Sequence, residues 1–235
     1  MQRKSSVDVA IVGAGAAGIA AARALSAHRL STLILEARDH IGGRALTRRL
    51  AGGLIFDLGC EWLHSADQNE LVSIARGIGL ELACGEPHWG EQSANINFPL
   101  SEQCAFHAAS DAFDERLRIA AQLPQDTAAA DWLEPGNRWN ALINAVSSYV
   151  NGAELSKVSV RDTTSYCGTE TNWRMRSGYG ALVAALGSSC NVALNTEVSL
   201  IDHSSQEITI GTSRGTIHAR TVICTLPTNL IAEEA

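Results

Sequence analysis

The stretch VDVAIVGAGAAGIAAARAL at the start of the chain limits the fold more than any other. Val7 to Val12 is an apolar run of strand length, Gly13, Gly15 and Gly18 spell G-x-G-x-x-G, and Ala16 to Ala27 has the small residues of a closely packed helix. The order is strand, tight turn, helix. Gly13 permits the sharp turn, Gly15 lets a pyrophosphate approach the backbone, and Gly18 lets the helix sit close to the strand. A phosphate would face the free N–H groups opening the helix, at Ala16 and Ala17, and the positive end of its dipole. A second apolar run, Thr32 to Leu35, ends in Glu36, 23 residues after Gly13, where an acidic side chain at a strand end accepts hydrogen bonds from ribose hydroxyls. A lone G-x-G-x-x-G also arises by chance in alanine- and glycine-rich helix starts. Two strands with Glu36 at this spacing point instead to dinucleotide binding.

After Glu36 the chain continues through Ala37 and Arg38 as E-A-R-D-x-I-G-G-R, which resembles the signature of the flavin amine oxidase superfamily, the monoamine and polyamine oxidases among them. The physical reading agrees: Gly42 and Gly43 allow backbone close to a diphosphate, and Arg44 offers it a charge-assisted fork. A surface loop with a solvated arginine is the plainer alternative. The choice of flavin over nicotinamide rests on the resemblance, not on spacing.

The 235 residues, 46% hydrophobic and 18% charged, suffice for a substantial core. A net charge of −7, with no basic patch interleaved with aromatics, argues against a nucleic-acid partner. The most apolar segment, Val9 to Ala22, carries three glycines and reads as strand and turn rather than a membrane span. Arg3 and Lys4 before it mimic a secretory leader, but cleavage there would destroy the nucleotide site. Cysteines 60, 84, 104, 167, 190 and 224 show no metal spacing and read as scattered, reduced and mostly buried thiols. The expected compartment is the cytoplasm.

In LAGGLIFDLGCEWLHSA, Leu54 to Leu58 make a short strand ending in Gly59. In the resembled family the matching D/E-x-G-x-x-W-[IV]-H stretch runs under the flavin ring. The resemblance therefore implies a second cofactor cluster at Gly59, Cys60, Glu61 and Trp62. It also implies that His64 faces the substrate cavity. As residues alone, His64 reads equally well as a hydrogen-bonded cap of the next helix, and Glu61 stands where many relatives carry a small residue. Helical patterns follow over 67–83, 107–123 and 137–150, with irregular chain over 85–100. Trp132, Trp139 and Tyr149 read as core packing of these helices, and Asp111, Asp114, Glu115, Arg116 and Arg118 as a solvated face.

Beyond this helical third, WRMRSGYGALVAALG reads as a Gly-x-Gly turn starting a helix, Asn191 to Leu194 as a strand, 207–210 and 215–218 as a hairpin, and TVICTLP as a buried strand. The resemblance implies that Val198 offers its backbone to the adenine edge of FAD and that Thr225 and Pro227 lie on the adenosine side. The expected fold is α/β: a Rossmann-like FAD-binding domain of the GR2 type with an inserted, mainly helical substrate subdomain. Its parts are 1–66 and 161–235 for the cofactor domain and 67–160 for the insertion.

The resemblance covers nearly the whole chain but only the N-terminal half of such an enzyme. It implies FAD-dependent oxidation of the C–N bond of a small amine or amino acid to an imine, then to an aldehyde or keto acid. It raises the expectation of a second polypeptide that supplies the C-terminal half in a hetero-oligomer, a truncated or cleaved product being the competitor. A phytoene-desaturase-like oxidoreductase, a non-catalytic FAD-holding subunit and an NAD-dependent dehydrogenase remain as other readings.

Overall fold

The computed structural model describes residues 6–85, 87 and 98–233. Most of the irregular stretch 85–100, Trp89 included, lies outside the described residues, as do Arg3 and Lys4. The chain divides into two units, one of 1–87 with 169–235 and one of 88–168.

In the first unit the strands are β1 (Ser6–Val12), β2 (Thr32–Leu35), β3 (Thr47–Arg49), β4 (Ile55–Asp57), β5 (Trp62–Leu63), β6 (Leu82–Ala83), β7 (Trp173–Met175), β8 (Val192–Ala193), β9 (Val198–Asp202), β10 (Ile208–Thr212) and β11 (Gly215–Cys224). Its helices are α1 (Ala16–Ser26), α2 (Glu70–Gly77), α6 (Tyr179–Gly187) and α7 (Thr228–Glu233), while α3 (Leu100–Ala120), α4 (Asn140–Asn151) and α5 (Val160–Ser165) belong to the second unit.

Strand β1 is central because it is apolar on both faces. Val9 to Val12 are all buried, so this strand can be covered on both sides and paired at both edges. The sheet runs β8-β2-β1-β11-β10-β9; β1 is parallel to both neighbours, β8 is parallel to β2, and β9 to β11 form an antiparallel meander. Helix α1 buries Gly18, Ile19 and Ala22. With Ile11 and Ile34 at 0% and 1% exposure, each such aliphatic side chain contributes about 1.5–3 kcal/mol of burial. The stretch TVICTLP is not a separate strand: it continues the second arm of the hairpin as one ten-residue strand, and Cys224 at its end is exposed.

Two shorter ribbons complete this unit. The antiparallel pair β3–β4 sets Thr47 opposite Asp57, and the β5-β7-β6 sheet sets Trp62 opposite Arg174 and Leu63 opposite Trp173. Leu63, Val72, Ala75, Met175 and Leu182 form the core beneath this second ribbon.

In the helical unit, Phe113, Leu117, Ile143, Leu155, Val158 and Val160 form the core. Trp132 and Trp139 pack against it. Tyr149 does not: it is 86% exposed, because Ile143 and Ser147, one turn apart, set the inward face of α4 and residue 149 turns away from it. Arg116 also departs from the solvated face expected of it, since its Nε donates to the Trp132 carbonyl at 2.7 Å. The thiols are free as expected but not buried: five are exposed and Cys190 is half-buried, because they fall on turns, strand ends and outward helix positions rather than on core registers. No helix among the described residues is long and apolar enough to cross a membrane.

Candidate functional site

The tight turn after β1 is held from both sides. Gly13 has φ 102°, and its N–H donates to the Leu35 carbonyl at 2.8 Å. A Cβ on Gly18 would lie 2.0 Å from the Gly13 carbonyl oxygen, so only glycine lets α1 sit this close. Gly15 behaves differently. It is the N-cap of α1 with φ −77°, no side chain caps the helix, its first turn holds no acid, and an added Cβ would meet nothing within 4 Å. The N–H groups at Ala16 and Ala17 therefore open onto free space at the positive end of an eleven-residue helix. An anionic diphosphate fits this end, since it supplies the acceptors that the protein does not.

Glu36 closes the turn. Its Oε2 accepts from the Ala14 N–H at 2.8 Å and its Oε1 from the Arg38 N–H at 3.0 Å. Each carboxylate oxygen keeps a further lone pair for a ribose hydroxyl. The backbone of Glu36 donates to Ala193 and accepts from Thr196, and the Asn195 N–H donates to the Arg38 carbonyl. Segment 193–196 thus runs beside residues 36–38 and leads directly to Val198 at the start of β9. Ala37 and Arg38 are exposed, and Arg38 reaches back to the Gly43 carbonyl at 3.3 Å.

The second glycine pair touches the first. The Gly42 N–H donates to the Ala14 carbonyl at 2.9 Å, and Gly42 bridges to Gly15. Arg44 is exposed, while its carbonyl accepts from the Cys60 N–H at 3.0 Å and lies 1.9 Å from where a Cβ on Gly59 would sit. The Thr225 hydroxyl bonds the carbonyls of Val12 at 2.8 Å and Gly13 at 3.1 Å, and Pro227 follows on the turn into α7. Gly13 to Gly18, Glu36, Gly42 to Arg44, Gly59, Cys60 and Thr225 are thereby joined through direct contacts.

Beyond Cys60 the chain enters the β5–β7 ribbon. Glu61 pairs with Arg174, whose guanidinium lies 4.3 Å from the Trp62 ring centroid. His64 Nδ1 is 2.8 Å from Asn172 Oδ1, and Asn172 Nδ2 donates to the Glu170 carbonyl at 2.8 Å. The amide is fixed by that second bond, so Nδ1 of His64 is assigned the proton. The helix-capping role falls elsewhere: Asn69 Oδ1 accepts from the Leu71 N–H at 3.0 Å, and Asn69 Nδ2 donates to the His64 carbonyl.

Three residues at the site carry no role in the sequence reading. Asp57 accepts from the Tyr179 N–H at 3.0 and 2.9 Å and from the Thr47 hydroxyl, and so caps α6. Asn172 orients His64, and Arg174 lies over Trp62. The only sequence signal was the first letter of D/E-x-G for Asp57. Asn172 and Arg174 acquire meaning only from the strand pairing.

A family profile described as NAD(P)-binding Rossmann-like domain matches residues 11–76, and one described as Flavin containing amine oxidoreductase matches residues 117–234. The chain is 25% identical over 256 residues to Lysine-specific histone demethylase 2 of Homo sapiens, covering 97% of this chain and 31% of that protein. It is 43% identical over 74 residues to Putrescine oxidase of Kocuria rosea, covering 32% of this chain and 15% of that one. A solved putrescine oxidase bound to putrescine superposes with a TM-score of 0.69 at 21% identity, over 97% of this chain and 59% of its own, which establishes a shared fold. The chain therefore spans less than two thirds of these relatives.

Proposed function

The chain belongs to the flavin containing amine oxidoreductase family, whose cofactor is FAD, and from that premise we propose that it is the dinucleotide-holding part of an FAD-dependent oxidase of an amine or amino acid. The observation that carries this reading is the uncapped N-terminus of α1, open at Gly15 and in direct contact with Glu36 through Ala14 and with Gly42. The first N–H groups of α1 bind the diphosphate, Arg44 adds a positive charge, and Glu36 accepts from the ribose. Gly59 to Trp62 run beneath the ring, and Val198, Thr225 and Pro227 lie along the adenosine side. When bound, FAD supplies the acceptor for the electrons and hydrogen that leave the carbon next to nitrogen. The resulting imine hydrolyses to an aldehyde or keto acid. The chain's own contribution is to position the reactants, with His64 facing the substrate and its ring held by Asn172.

A second polypeptide completes the enzyme in this reading. Leu54, Phe56 and Leu58, two residues apart along β4 and its ends, are 66%, 54% and 57% exposed immediately before Gly59. An apolar strand face of this kind beside a cofactor calls for a cover. Free thiols without metal spacing support a reducing, cytoplasmic setting.

The test is a visible absorption spectrum of the purified native protein with mass spectrometry of what co-purifies, then anaerobic addition of an amine panel. A yellow complex with a second chain, bleached by one amine, is the expected result. Bound flavin that no amine reduces in the assembled complex would make this a non-catalytic FAD-holding subunit, and a colourless complex would sink the flavin assignment.

A further inference from the structure

We propose that Arg174 is a specificity-determining residue that receives a carboxylate on the substrate, so that the preferred substrates are amines carrying a carboxylate rather than diamines or polyamines. The inference rests on the reading that the ribbon carrying His64 faces the substrate.

Leu63 is 0% exposed in the core with Met175, so its neighbours Trp62 and His64 project from the other side of β5. Across the ladder Arg174 is registered with Trp62, and Asn172, two residues back, bonds His64. Arg174 and Trp62 therefore sit about 7 Å along the same ribbon from the Asn172–His64 pair.

Arg174 is also built as a receptor. Its guanidinium is stacked over the Trp62 ring at 4.3 Å and tied to Glu61, yet the side chain stays 49% exposed. A guanidinium offers five N–H donors in a rigid plane, and the ion pair with Glu61 is made through Nη2. Stacking and the ion pair fix the plane before any ligand arrives, which reduces the ordering cost of a two-pronged carboxylate contact. A distal ammonium would meet a permanent cation there, and the nearest carboxylate, Glu61, is already engaged by it. The cation is fixed by this chain's own pairing of Glu61 with Arg174.

The test compares 5-aminopentanoate with 1,5-diaminopentane, which share a five-carbon chain and differ at one end. Their dissociation constants are measured by calorimetry on the full chain, alone and with FAD added, for the parent and for Arg174→Gln, Arg174→Lys and Glu61→Gln. FAD affinity is titrated separately by flavin fluorescence. The expected result is at least about tenfold tighter binding of the amino acid, loss of that preference in Arg174→Gln, its partial return in Arg174→Lys, and a smaller preference in Glu61→Gln, which no longer fixes the plane. Equal or tighter binding of the diamine, no binding of either compound, or an Arg174→Gln variant that folds and keeps the preference would each overturn the proposal. Failure of FAD to bind while the Arg174-dependent preference persists would refute the flavin reading and leave this one standing. Tight FAD binding without the preference would do the reverse.

Discussion

Glu36 Oε2 accepts the Ala14 N–H at 2.8 Å, so the acid at the end of β2 is wired to the glycine turn before any nucleotide is present. Its other oxygen holds the Arg38 N–H at 3.0 Å. One side chain therefore shapes the turn and, in the proposed function, also receives the ribose. Glu36→Ala removes both backbone bonds, each worth about 1.5–3 kcal/mol with a charged acceptor. We expect FAD affinity to fall at least about tenfold and the melting temperature to drop with it. Flavin fluorescence titration beside thermal denaturation checks this, and an unchanged affinity would remove Glu36 from the site.

Gly15 and Gly18 stand three residues apart and predict opposite outcomes. A methyl on Gly18 would lie 2.0 Å from the Gly13 carbonyl and 3.1 Å from Thr225 Oγ1, so Gly18→Ala has to displace backbone. It should lower the melting temperature by several degrees and abolish FAD binding. A methyl on Gly15 meets nothing, and its φ of −77° suits alanine. Gly15→Ala should leave the melting temperature within about a degree of the parent while weakening FAD, because the methyl enters the space assigned to the diphosphate. If Gly15→Ala bound FAD normally, the diphosphate would have to lie elsewhere.

Asp57 ties β4 to α6. Its carboxylate takes the Tyr179 N–H on both oxygens, at 3.0 and 2.9 Å, and the Thr47 hydroxyl as well. Loss of a cap costs about 1–2 kcal/mol. Asp57→Ala should therefore lower the melting temperature by about 2–8 °C in a chain of this size, and Asp57→Asn by less. A null effect in calorimetry would show that Gly178 and the packing of α6 on β3 suffice without the cap.

In the helical unit Asp126 receives the Ser159 hydroxyl at 2.5 Å and the backbone N–H groups of Arg161 and Thr127. The Ser159 bond first, then the Arg161 bond, hold its carboxyl below the ordinary 3.8. A depressed folded value means that the stabilisation is complete above about 3.8 and is lost as pH falls through the lower folded value. Asp126→Asn should accordingly be less stable than the parent near neutrality, and the gap should close on acidification. Melting curves from about pH 6 to about pH 2.5 test the sign: a gap that widens with acid contradicts it.

The strand–turn–helix at the start of the chain was legible because its signals are local. An apolar run of strand length, a glycine turn and an acid after the second run are read within 36 residues, and β2 falls over Thr32–Leu35 as the pattern requires. What escaped depends on pairing across the fold. Asp57 caps a helix 122 residues away, and Asn172 is 108 residues from the histidine it orients. Their residue types suit many surface roles, so composition and period carry no trace of either. The cysteines erred in the opposite direction. A thiol is an apolar group by type, but register decides burial, and Cys60, Cys104 and Cys224 occupy a turn, an outward helix position and a strand end. Tyr149 failed for the same reason, lying about half a turn from the inward face of α4.

In the proposed function His64 has a chemical role that can be separated from the structural one at the start of α2. Its ring is held through Nδ1 by Asn172, while the cap of α2 belongs to Asn69. Removing the ring therefore leaves the helix start intact. His64→Ala should keep the flavin content of the purified enzyme and shift its melting temperature little, yet change amine turnover in the completed assembly at least about tenfold, the range of a single acid–base or positioning group. Asn172→Ala, which frees the ring without deleting it, should give a smaller loss of turnover and leave the flavin content unchanged. The measurement is kcat and KM of both variants at matched flavin loading. Parent-like kinetics in both variants would return His64 and Asn172 to the architecture of the ribbon, whereas loss of flavin in His64→Ala would place the ring against the cofactor instead of the substrate.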